Sequence, residues 1–146
     1  MSQLTIFFGK TALAVVLTFL GVRYLSPTDH SSIISVAGVL STVSGILFGF
    51  VLAAITIFTS ADSSKGVLGA LKKNNALKDI ICGLIATGAT LIASCVFPLL
   101  AMFVQGKFYN HQVDYLLIVL GLSYLIVSIT TFFFSWKNLA LIIPHL

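Results

Sequence analysis

Between Asp29 and Asp62 the chain carries no Asp, Glu, Lys or Arg, and from Ile33 to Phe58 it is apolar apart from scattered Ser and Thr. A soluble surface helix of that length keeps a polar face. An apolar run of 18 or more residues instead reads as a membrane span. Three more such runs follow the same rule, at about 4–25, 80–104 and 115–135. At 1.5 Å per residue the four segments cover ~30–40 Å each, enough to cross a bilayer with some tilt. Composition agrees, with 58% hydrophobic and 8% charged residues in 146 and a mean hydropathy of +1.10. The fold class this implies is all-α, an integral membrane four-helix bundle forming one transmembrane domain over 1–146. The N-terminal run has no charge before Lys10 and no small-x-small cleavage site before Pro27, so it reads as a retained span.

The first span is the weakest, because Lys10 and Arg23 leave only its middle uncharged. Both can snorkel to opposite interfaces. Pro27 and its polar neighbours stop that helix, and Gln105–Asp114 closes the third. Only the connection 59–79 has room for structure of its own. It carries Lys65, Lys72, Lys73 and Lys78 and shares its side with Lys10 and Lys137, against Arg23 and Lys107 opposite. The positive-inside rule then puts both termini and this loop in the cytoplasm. Tyr24, Tyr109, Tyr115 and Trp136 fall at the span boundaries, where interfacial aromatics belong. The resulting expectation is a multi-pass protein of a bacterial inner membrane.

Within the second span, Ala37, Ser41, Gly45, Gly49 and Ala53 recur at every fourth position. Lipid gives apolar helices no hydrophobic reason to associate, so small residues at this spacing let backbones approach and dispersion take over. Two uses remain open: packing inside one subunit, or an interface between copies in a homo-oligomer, for which a unit this small is suited. The third span has a small, hydroxylated face of Gly83, Ala86, Thr87, Thr90 and Ser94, followed by Pro98. Pro98 lacks an amide donor and crowds the Ser94 carbonyl. A static kink, a moving hinge and a Ser/Thr pore lining are the readings of Ser94 and Pro98.

The chemistry-bearing residues are few. Glu is absent, and each of the four Asp falls near the end of an apolar run. That counts against a proton-coupled carrier and against an intramembrane protease. No HExxH or CxxC spacing is present, so no metal set, cofactor or catalytic residue is expected and the chain reads as a non-enzyme. Cys82 and Cys95, ~20 Å apart on one helix, cannot bridge each other; they read as small buried residues, with an intermolecular bridge or a redox role as the alternative. His30 with Asp29, and His111 near Asp114, share an outer face, as solvated loop polarity or as a metal or pH-responsive group. The charge of +4 has no basic stripe interleaved with aromatics, so no direct nucleic-acid contact is expected.

In the loop, Val67, Leu68, Leu71 and Leu77 sit among Lys65, Lys72, Lys73 and Lys78. A short helix there could lie on lipid headgroups. It could equally form a docking surface for a cytoplasmic protein, completed by the apolar tail Ile142-Ile143-Pro144. The partners expected are therefore membrane lipids, further copies of the chain and a cytoplasmic effector. Two functions remain, a membrane sensor or scaffold and a small channel or holin-like permeabilising protein. With its four spans, its Lys-bearing loop and the glycine-rich "STVSGILFGFVLAAITIF", the chain resembles the small four-span membrane component, KwaA, of the bacterial Kiwa antiphage system. That resemblance implies a homo-oligomer that senses phage attack at the envelope and relays it to a cytoplasmic, nucleic-acid-acting partner. It implies no catalytic residues.

Overall fold

The computed structural model describes residues 3–25, 29–60, 76–104, 107–108 and 111–142. Four helices account for nearly all of them: α1 (Gln3–Tyr24), α2 (His30–Ser60), α3 (Ala76–Phe103) and α4 (Val113–Ile142). All four contain a stretch long and apolar enough to cross a membrane. Between α3 and α4, β1 (Lys107–Phe108) and β2 (His111–Gln112) pair antiparallel, Lys107 opposite Gln112 and Phe108 opposite His111. The helices outrun the apolar segments at most ends. Backbone hydrogen bonding continues one or two turns into polar sequence once a helix is running.

The bundle is a rhombus. Helices α3 and α4 form the short diagonal and pack along each other, while α1 and α2 occupy the far corners and both lean on that central pair. Consecutive helices α1 and α2 are therefore held by α3 and α4 more than by each other. Their inner faces differ. Ala14 of α1 is fully buried against Tyr124 and Val127 of α4, with Phe97 of α3 stacked on Tyr124 at 5.7 Å between ring centroids. Helix α2 turns Ile33, Ala37, Leu40, Ser44 and Val51 inward, which follows the three- and four-residue spacing of one helix face.

At the end where α1 finishes and α2 begins, Ile33 and Ala37 meet Ala101, Tyr115, Ile118 and Val119. Toward the opposite, lysine-bearing end, α2 and α4 separate, and Leu91 of α3 becomes the floor between them. The outer surface is apolar along the length of the bundle. Phe8, Phe19, Phe50, Phe103 and Phe133 are 63–84% exposed; large exposed apolar surface of this kind marks a lipid- or protein-contacting face.

Candidate functional site

Three hydroxyls on one buried face of α3 organise the interior, and each receives a different helix. Residues 87, 90 and 94 are three and four apart, so their side chains share a face. Nearest the lysine-bearing end, Lys10 of α1 donates from Nζ to Thr87 Oγ1 at 2.6 Å. The Thr87 hydroxyl passes its own proton to the Gly83 carbonyl at 2.8 Å, which fixes Lys10 as the donor. One turn on, Ser128 of α4 donates to Thr90 Oγ1 at 2.7 Å. Thr90 in turn donates to the Thr87 carbonyl at 2.9 Å. A further turn along, Ser94 shares a proton with Ser44 of α2 at 2.7 Å. Thr87, Thr90, Ser94, Ser44 and Ser128 are all buried. Interhelical bonds of this kind contribute ~0.6 kcal/mol on average in membrane bundles, with ~1.7 as an upper value.

Ser41, on the small-residue row of α2, adds a reciprocal pair. Its hydroxyl donates to the Cys95 carbonyl at 3.2 Å while the Cys95 thiol reaches the Ser41 carbonyl at 3.6 Å. Cys82 and Cys95 are both half-buried.

Pro98 lies inside α3 and is buried. Its ring sits against the backbone of Gly121 on α4, where an added Cβ would come 2.5 Å from Cγ and 2.6 Å from Cδ. The same Cβ would stand 3.4 Å from the Ser94 carbonyl oxygen, the oxygen that Pro98 leaves without an amide donor. A close approach of the central pair thus falls one turn beyond the hydroxyl row.

The small row on α2 divides in two. Ala37 is fully buried and Ser41 half-buried, whereas Gly45, Gly49 and Ala53 are exposed. A Cβ added at Gly45 or Gly49 would meet nothing within 4 Å. The reason is geometric. Four residues at 100° each overshoot a full turn by about 40°, so a row that starts against α3 has turned ~160° away from it after four steps.

Lys10, expected to reach an interface, is instead 9% exposed and turned onto α3. The hydroxyl face of α3 offers it an acceptor that the apolar rim of α1 lacks. Lys78 is exposed near the start of α3; Lys65, Lys72 and Lys73 lie outside the described residues. At the other end His30 Nδ1 and Asp114 Oδ2 are 2.9 Å apart. Asp114 Oδ1 also accepts the Tyr115 amide at 2.8 Å. Tyr115, expected at an interface, is buried, and its hydroxyl donates to the Leu25 carbonyl at 2.8 Å. The tyrosine thereby ties the end of α1 to α4. Asp29 is exposed, and among the described residues no three His, Cys or acidic side chains gather as a metal site.

Sequence reasoning found the hydroxyl face of α3 but not its partners. Ser44, Ser128 and Gly121 carry no local signal, since each is one small residue among many in an apolar run. No protein-family model, no curated protein and no solved structure matches the chain.

Proposed function

We propose that the chain is a non-enzymatic sensor or scaffold of a bacterial inner membrane, serving antiphage defence. In this reading it self-associates through α2 and holds a cytoplasmic effector by its 59–79 loop and C-terminal tail. The observation that supports this best is the open half of the small row: Gly45 and Gly49 have nothing within 4 Å of where a Cβ would stand. A glycine inside a helix is less favourable than alanine by roughly 0.5–1 kcal/mol. Among the described residues, none stands within 4 Å of an added Cβ at either position to offset that. A helix from a second copy, approaching closely enough to touch backbone, would use both glycines at once.

Two measurements test the reading. Gly49→Leu should lower the assembly state seen by chromatography in detergent, and an unchanged assembly overturns self-association through this row. Pull-down from solubilised membranes should recover a soluble protein with the wild type and lose it with Lys72→Glu/Lys73→Glu. Recovery of none with the wild type overturns the effector role. A channel lined by α2 and α3 of one copy draws little support from the geometry. Of the hydroxyls on those two helices, Ser44 and Ser94 bond each other and Thr90 accepts from Ser128 of α4 inside the bundle.

A further inference from the structure

Where α2 and α4 separate, they enclose a groove of about 410 Å³. Leu47, Val51 and Ala54 form one wall, Ile129 and Phe132 the other, and Leu91 of α3 the floor. Ser128 is its polar contributor, and the Ser128 proton already goes to Thr90 Oγ1. Among the described residues the groove therefore presents no free donor, and an occupant with polar needs of its own would leave them unmet there.

Its dimensions choose among apolar occupants. From Leu47 to Ile57 the α2 wall runs eleven residues, whose ten rises cover ~15 Å along the axis. That is half of the ~30 Å hydrocarbon core, the depth of one leaflet. Spread over that length, 410 Å³ leaves a cross-section of ~27 Å², against roughly 80–110 Å² for a helix about 10–12 Å across. A whole helix cannot lie inside it. A single hydrocarbon chain can, since the volume holds on the order of fourteen groups of water-like size at ~30 Å³ each.

We propose that one acyl chain of a membrane phospholipid occupies this groove, touching three helices at once and sealing the gap between α2 and α4. The proposal rests on reading the four helices as membrane spans with the lysine-bearing end inward, which makes the donor the cytoplasmic leaflet. Ala53 and Ala54 create the room on the α2 side.

Phe132→Trp, placed in a Trp136→Phe background so that it is the chain's one tryptophan, reports from the groove. Phe133→Trp in the same background reports from the outer surface, where Phe133 is 68% exposed. Both proteins are reconstituted in phosphatidylglycerol vesicles with brominated acyl chains, then extracted and purified in detergent. The groove tryptophan should remain quenched by bromine while the surface tryptophan recovers. Native mass spectrometry should show one phospholipid retained per copy. Ala54→Phe fills the groove and should abolish both signals. Ala54 itself lies off the Gly45–Gly49–Ala53 row, although Ala53 also borders the groove, so lipid loss with assembly unchanged separates lipid retention from the proposed self-association. Equal recovery of the two reporters overturns the proposal, as does retention unaffected by Ala54→Phe in a monodisperse sample. Retention of a free fatty acid overturns the phospholipid assignment. Release of the protein from vesicles by alkaline carbonate overturns the membrane reading beneath it.

Discussion

Gly121→Ala is the substitution whose outcome the geometry constrains most. The new methyl carbon would stand 2.5 and 2.6 Å from two ring carbons of Pro98, about 1 Å inside the ~3.5–4.0 Å separation of carbons in contact. A proline ring cannot swing aside as the tip of a long side chain can, and the Ser94 carbonyl blocks the next direction. The relief available is for α3 and α4 to part locally by most of an ångström. A gap of that size forfeits a quarter to a half of each dispersion contact it opens, and core overpacking costs about 1–3 kcal/mol. Alanine's better helix propensity returns roughly 0.5–1 kcal/mol. The net expectation is a loss of ~1–2 kcal/mol, read from SDS-driven unfolding in mixed micelles followed by circular dichroism. Gly9→Ala, where an added Cβ meets nothing within 4 Å, should show the propensity gain or no change. In a Pro98→Ala background the ring is gone, and the Gly121→Ala penalty should shrink by ~1 kcal/mol or more. If Gly121→Ala is no less stable than Gly9→Ala, or the penalty survives without the ring, the close approach of α3 and α4 described here is wrong.

Two other substitutions probe the hydroxyl row. Ser94→Ala strands the buried Ser44 hydroxyl and should cost ~0.6–1.7 kcal/mol in the same assay; Ser44→Ala/Ser94→Ala should cost less than twice the single change, and strict additivity would deny the bond. Lys10→Met keeps the side-chain stem while removing a buried charge, so it should be neutral or stabilising; a loss of more than ~2 kcal/mol would mean that the ammonium has a partner beyond Thr87.

The order and approximate limits of the four long helices were legible because each is a long apolar run bounded by charged or polar residues. The hydroxyl face of α3 was legible for the same reason any helix face is, through spacing. Its partners were not, because Ser44, Ser128 and Lys10 are selected by which helices adjoin, and nothing local encodes a rhombus over a square. The small row on α2 shows the limit of reading spacing alone. A four-residue period names a stripe, but the stripe winds around the helix, and only Ala37 and Ser41 remain against α3. Pro98 announced itself, whereas Gly121, its counterpart, is an ordinary glycine until the two helices are laid together.

Seventy-seven residues separate Lys10 from the hydroxyl that receives it. At ribosomal speeds of about 5–20 residues per second, the lysine emerges roughly 4–15 s before Thr87 exists. During that interval Lys10 lacks the hydroxyl that receives it in the finished bundle. The seating of α1 therefore waits on a helix two elements downstream, so this corner of the fold closes only after α3 has been made.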